Sequence, residues 1–260
     1  MAYRTIRVTH EGPVCHIQID RPEANNTIND ELVAECNEVL SDCEESASVV
    51  VLSGSAEVFC LGADFAEIAA GAGRGVSPED LYNLWLRLAS GPYITISHVC
   101  GKANAGGVGF AAASDIVLAG ESAQFSLSEL LFGLYPACVL PFLIRRVGYQ
   151  RAHYLTLTSQ PISARQACEW GLADACDPLS DGLLRRHLQR LRRLSKAAIG
   201  RYKSYMGSIN APLRELRSPA AAANREMFAD AGNLVGIIRY VEEGLFPWEA
   251  PKQRVASASG

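Results

Sequence analysis

Gly101-Lys102-Ala103-Asn104-Ala105-Gly106-Gly107-Val108-Gly109-Phe110-Ala111-Ala112-Ala113 runs from a glycine turn into a helix of small residues. The apolar segment Tyr93–Val99 before it and Asp115–Ala119 after it read as strands. Small residues at a helix start let a ligand carbonyl approach backbone N–H groups that have no partner inside the helix. A second junction of this kind is Phe59-Cys60-Leu61-Gly62-Ala63-Asp64. There a loop ends at a helix whose opening, Asp64-Phe65-Ala66-Glu67, has the form of a capping box. Either junction alone is usually a packing device. Two N–H donors converging on one oxygen would stabilise an enolate or a tetrahedral oxyanion.

Outward from these junctions, Tyr3–Thr9 and Val14–Asp20 read as paired strands across Glu11-Gly12-Pro13. A helix from Asn29 or Asp30 to about Asp42 follows, then a buried strand at Val49–Ser53, a loop over Gly54–Gly62, and a helix over Pro78–Leu88. Gly71–Val76 is a flexible glycine-rich stretch. After the strand Ala123–Phe125, helices are expected over Pro136–Val147, Arg151–Leu157, Ala164–Trp170, Gly182–Leu194, Lys196–Ser208, Leu216–Ala229 and Asn233–Glu243. Alternating strands and helices followed by helices alone indicate an α/β core with a helical region behind it.

The 260 residues, 48% hydrophobic and 20% charged, can bury one sizeable core and are not a disordered chain. The net charge of −4 argues against a general nucleic-acid binder, but it is uneven. Gly182 to Arg214 holds nine basic residues and no acidic one, so the rest of the chain carries −13. No apolar run approaches the roughly 18 residues that span a membrane, and the N-terminus has no apolar signal core. The eight cysteines form no close C-x-x-C pair. They are read as small reduced core residues of a cytoplasmic protein, and no metal site is expected.

Four motifs stand in order: Arg21-Pro22…Asn25-Asn26, Phe59-Cys60-Leu61-Gly62-Ala63-Asp64, the glycine turn into a helix before Asp115, and Ala123-Gln124-Phe125-Ser126-Leu127-Ser128-Glu129…Gly133…Pro136. Together they resemble the enoyl-CoA hydratase/isomerase (crotonase) superfamily over nearly the whole chain. The resemblance implies a crotonase fold: a ββα-type spiral core over residues 1–195, a C-terminal helical trimerisation region over 196–251 and a disordered tail over 252–260. It implies oxyanion donors at the N–H groups of Ala63 and Gly106 and a catalytic carboxylate at Glu129. Hydratases of the family usually have a second glutamate, three residues after the oxyanion glycine; Gly109 stands there.

The stretches 21–30, 58–65, 91–99, 103–107 and 125–146 are similar to one subgroup, the dehydratase of polyketide β-branching cassettes. That likeness implies dehydration of a 3-hydroxy-3-methylglutaryl thioester on an acyl carrier protein to the 3-methylglutaconyl thioester. It also implies a companion decarboxylase of the same superfamily and a homotrimer or dimer of trimers. No cofactor is implied beyond the carrier's phosphopantetheine arm. Alternatives are a coenzyme A-dependent enoyl hydratase or isomerase, and a non-catalytic scaffold that binds carrier protein.

Substrate-binding candidates are Arg21 (for a phosphate), Asp64, Tyr82, Lys102, Asn104, Gly107, Tyr135 and Cys138. Asp64 reads more readily as a helix cap than as a second catalytic carboxylate. Arg185, Arg186, Arg190 and Arg193, opposite a leucine stripe, are either a solvated helix face or a docking face for an acidic carrier protein.

Overall fold

From Val49 to Ser126 the chain lays strands alternately into two sheets, which is the expected spiral. The computed structural model describes residues 3–71, 76–209 and 212–250. The tail over 252–260 and most of the glycine-rich stretch Gly71–Val76 lie outside them.

In chain order the elements are β1 (Ile6–Glu11), β2 (Val14–Ile19), α1 (Asp30–Ser46), β3 (Val49–Ser53), β4 (Val58–Cys60), α2 (Phe65–Ala69), α3 (Pro78–Ser90), β5 (Ile94–Val99), β6 (Lys102–Asn104) and α4 (Gly106–Ala113). There follow β7 (Ile116–Gly120), β8 (Gln124–Ser126), a 3-10 turn (Glu129–Phe132), α5 (Leu140–Val147), α6 (Tyr149–Thr158), β9 (Ile162–Ser163), α7 (Ala164–Trp170), β10 (Ala175–Asp177) and α8 (Ser180–Leu191). The chain closes with α9 (Lys196–Ile209), α10 (Pro212–Glu215), α11 (Arg217–Ala229) and α12 (Ala231–Glu243). The large sheet has the order β1-β2-β3-β5-β7-β10 and is parallel except for the β1–β2 hairpin. The small sheet is β4-β6-β8-β9, its first three strands parallel.

Strand alternation divides the large sheet's side chains between two layers. Val50 and Leu52 of β3 join Leu32, Leu84 and Val108 from α1, α3 and α4 in the main core. Val49 and Val51 face the other way and meet Leu183 and Leu188 of α8. The caps follow from the sequence: Asn29 accepts from the Leu32 N–H to start α1, and Ser77 caps α3 ahead of Pro78.

Three expectations shift. Val58–Cys60 and Lys102–Asn104 are short strands where a loop and a turn are expected, because three residues are too few to display a period. The helix expected from Pro136 begins at Leu140, which puts Pro141 in its first turn. A start at Pro136 would place Pro141 where a helical N–H is needed. The helix expected from Gly182 to Leu194 ends at Leu191.

The C-terminal helices fold back on the core. Leu213 of α10 and Ala220 of α11 belong to the main core. Met227 and Ile237 close over Phe132, Leu134 and Ala137, beside the 3-10 turn. Lys203 of α9 reaches both carboxylate oxygens of Asp115 at 2.5 Å and ties α9 to the end of α4.

Candidate active site

Three loops leave the same edge of the small sheet. β4, β6 and β8 run parallel, with Cys60 beside Ala103 and Asn104 beside Ser126. Leu61–Ala63, Ala105–Gly106 and Leu127–Glu129 therefore emerge side by side at the carboxyl ends of their strands, where ligands of parallel sheets are bound. Strands lie about 4.8 Å apart, so the outer two loops start about 10 Å from each other.

The first two loops form the N–H pair. Ile28 bridges Ala63: its N–H donates to Gly62 O at 2.7 Å and its carbonyl accepts from the Asp64 N–H at 3.2 Å. In that parallel bridge the N–H of Ala63 faces away from Ile28, and among the described residues nothing accepts it. The N–H of Gly106, first residue of α4, is equally free. Ala105 directs it from φ 51 and ψ −116, a conformation costly for a residue with a side chain and worth about 1–3 kcal/mol of stored strain. Gly62 holds φ +88, and a Cβ there would stand 3.1 Å from Gly106 N, so the two loops are in contact. Only glycine permits that approach.

Glu129 follows the third loop. Its Oε2 is buried and has no hydrogen-bond partner among the described residues. Burial pushes its carboxyl up from 4.5 to about 7, opposed only by its own backbone N–H. A carboxylate held without a partner, beside two unoccupied donors, has the makings of an acid/base group facing an oxyanion hole.

The sequence pattern of the enoyl-CoA hydratase/isomerase family matches residues 9–251. The chain belongs to that family. It is 58% identical over 254 residues to the bacillaene synthase dehydratase PksH of Bacillus subtilis (strain 168), covering 96% of this chain and 98% of that protein. A crystal structure of a polyketide biosynthesis enoyl-CoA hydratase (pksH) from Bacillus subtilis superposes with a TM-score of 0.92 at 58% identity, over 95% of this chain and all of that one. Escherichia coli (strain K12) 2,3-dehydroadipyl-CoA hydratase is 33% identical over 192 residues, 73% of this chain and 75% of that protein. The chain is thus an enzyme with the crotonase fold, a hydro-lyase.

One departure from the family hydratases has a structural cause. A Cβ on Gly109 would lie 2.5 Å from Cζ2 of Trp85, so the indole of α3 fills the space where a second glutamate would begin. Trp85 shows in the sequence only as a core position of α3, and nothing there pairs it with Gly109.

Several candidate binders turn out to be scaffold. Arg21 is buried, donates to Thr27 O at 2.6 Å and pairs with Asp64 at 3.0 Å and Glu67 at 3.1 Å. Both terminal nitrogens of its guanidinium are thus held within the protein. Asp64 accepts from the Glu67 N–H at 3.1 Å and from the Thr27 hydroxyl at 2.9 Å, so it is the helix cap, as its motif suggests. Together these bonds clamp both ends of the Ile28–Ala63 bridge. Asn104 donates to Ser128 Oγ and accepts from Ser126 Oγ, each at 2.8 Å, and so steadies the loop that presents Glu129. The Tyr82 hydroxyl is fully buried and donates to Leu213 O at 2.6 Å, joining α3 to α10.

The remaining candidates divide. Gly107 is a packing glycine, since a Cβ there would meet Cys60 O at 2.1 Å. Cys138 is a buried thiol pushed up to about 12 by burial, hence a neutral liner. Lys102 and Tyr135 are exposed. The arginine helix is not at the site. Through Leu183 and Leu188, α8 packs on the face of the large sheet opposite α4, and Arg186 pairs with Asp177 at 3.1 Å. Arg185 and Arg190 belong to the same helix, and the Arg193 N–H donates back to Arg190 O at 3.2 Å. Ile28, Thr27, Ser126 and Ser128 are site-building residues that the sequence alone does not single out.

Proposed function

We propose that the enzyme dehydrates 3-hydroxy-3-methylglutaryl thioester, carried on an acyl carrier protein, to the 3-methylglutaconyl thioester in polyketide β-branching. The observation that carries this reading is the buried, unpartnered carboxylate oxygen of Glu129 on the loop next to the Ala63 and Gly106 donors, with the second glutamate's place closed by Trp85. Water addition commonly uses two carboxylates, one to hold the water; elimination from a tertiary alcohol needs one. The 58% identity to a dehydratase named for bacillaene synthase supports the same pathway.

The thioester carbonyl oxygen accepts from the N–H groups of Ala63 and Gly106, which makes the C2 proton acidic. Glu129 removes that proton. Its buried carboxylate, pushed up to about 7 by burial, is a stronger base than an ordinary one. The enolate charge rests on the hole. The C2=C3 double bond then forms as the C3–oxygen bond breaks, and Glu129 returns its proton to the leaving hydroxyl, releasing water. Every proton is accounted for by one carboxyl group, so the route requires no metal or redox cofactor.

The partners in this reading are the carrier protein, a companion decarboxylase acting on the product, whose carboxylate is borne by the γ-carbon, and further copies of the chain in a homotrimer or dimer of trimers. The exposed Tyr202, Tyr205 and Ile209 of α9 are apolar surface that such a trimer would cover. The test is incubation with 3-hydroxy-3-methylglutaryl carrier protein, followed by intact mass. Loss of one water supports the reading. Turnover of short enoyl-CoA substrates alone would replace it with a coenzyme A hydratase, and no turnover of either would leave a scaffold.

A further inference from the structure

Among the described residues five buried side-chain polar atoms have no hydrogen-bond partner; one is Glu129 Oε2, and another is the indole nitrogen of Trp85, whose ring packs against Gly106 and Gly109 of α4. Trp85 is 1% exposed. Its neighbours Phe110 and Phe142 pack edge-on with centroids 5.9 Å away and carry no oxygen or nitrogen to accept the N–H. A buried donor left unsatisfied is costly, and natural proteins keep few of them.

The indole lies along one face of α4. Its Cζ2 is the ring atom nearest both to a Cβ on Gly109, at 2.5 Å, and to a Cβ on Gly106, at 3.7 Å. Cε2, which is bonded to the indole nitrogen, is 2.9 Å from the Gly109 position. The ring edge against the oxyanion helix is thus Cζ2–Cη2, with Cε2 and the nitrogen bonded to it next around the ring, within one helical turn of the Gly106 donor.

We propose that the Trp85 indole N–H is a substrate-binding donor for the tertiary hydroxyl that leaves C3. The inference rests on the dehydration reading above. With the thioester carbonyl in the hole and C2 before Glu129, the C3 oxygen is the next electronegative atom along the substrate. An indole has a fixed donor and no acceptor. It can hold the hydroxyl oxygen and stabilise the charge growing there as the C3–O bond breaks, while Glu129 supplies the proton. It cannot activate a water as a second glutamate would. The product lacks the oxygen, so this contact disappears on turnover and favours release.

The full-length chain with Glu129→Gln, expected to slow turnover about 100-fold or more, is labelled with 15N and titrated with two pantetheine thioesters: 3-hydroxy-3-methylglutaryl and 3-methylglutaconyl. The chain has three tryptophans, so the Trp85 indole signal is assigned by removing Trp170 and Trp248 one at a time. Its proton should move downfield with the hydroxy ligand and stay in place with the dehydrated one. Trp85→Phe should weaken the hydroxy ligand about 10-fold or more, as for a hydrogen bond bearing partial charge, and leave the dehydrated ligand unchanged. Equal shifts with both ligands, or none with either, would overturn the proposal, as would equal weakening. Wild-type turnover of the carrier-bound substrate is measured alongside. Absence of water loss there defeats the dehydration reading, whereas water loss with a silent Trp85 signal defeats only this inference.

Discussion

Replacing Glu129 by Gln should stabilise the enzyme, and by an amount that grows with pH. The wild-type carboxyl is raised from 4.5 to about 7 because its Oε2 is buried without a partner. The folded chain therefore holds this proton more tightly than the unfolded chain does. Stability must fall as pH rises from below 4.5 through 7, since the unfolded state sheds its proton first. At 1.36 kcal/mol per pH unit the full cost above pH 8 is about 3 kcal/mol, of which less than 1 kcal/mol is already present at pH 5. Gln has the shape of the protonated acid and no titration. Urea unfolding of both proteins at pH 5 and pH 8.5, at fixed protein concentration, should show the variant gaining about 2 to 3 kcal/mol over wild type between the two conditions. Parallel pH curves would refute the reasoning, because they would mean that Glu129 ionises as freely in the fold as in water.

The same carboxyl sets the rate profile: kcat/KM for dehydration should rise with pH to a plateau above about 7, and stopped-flow turnover from pH 5.5 to 8.5 would show a flat profile if Glu129 were not the base. Asp64→Ala leaves Arg21 buried and half-paired and removes a helix cap, so thermal unfolding should show a loss of about 3 kcal/mol or more, and unchanged stability would mean that the clamp on Ala63 is slack. Gly109→Glu should not create a hydratase, because its side chain collides with Trp85; overpacking of about 1–3 kcal/mol is expected, and water addition to an enoyl thioester at undiminished stability would contradict this. Charge reversal at Arg190 and Arg193 should alter kcat/KM on carrier-bound substrate by less than about twofold, since both lie across the sheet from α4, and a selective tenfold loss would restore the docking face.

Much of the site was legible in the sequence because its parts are backbone. A helix start written Ala105-Gly106-Gly107 and a loop end written Leu61-Gly62-Ala63 announce free N–H groups, and the structure sets them in contact. Asp64 declared itself a cap through Glu67 three residues on. What could not be read was pairing at a distance. Arg21 looked available until Asp64, Glu67 and Thr27 were seen to surround it. Tyr82 looked like a pocket hydroxyl until its partner proved to be the carbonyl of Leu213. The absence of a glutamate at 109 was visible, but its cause, the ring of Trp85, comes from another helix. The short strands β4 and β6 escaped because three residues cannot display a period, and they are the strands that align the three loops. The arginine stripe was read correctly as one face of a helix; the sheet that separates it from the site was not visible.

The central claim is that one carboxyl group, Glu129, carries the proton out and back while Ala63 and Gly106 hold the enolate. The most direct test compares wild type and Glu129→Gln on 3-hydroxy-3-methylglutaryl carrier protein, with loss of water followed by intact mass. Wild type should convert the substrate, and the variant should be slower by about 100-fold or more. A variant that dehydrates at the wild-type rate would contradict the claim.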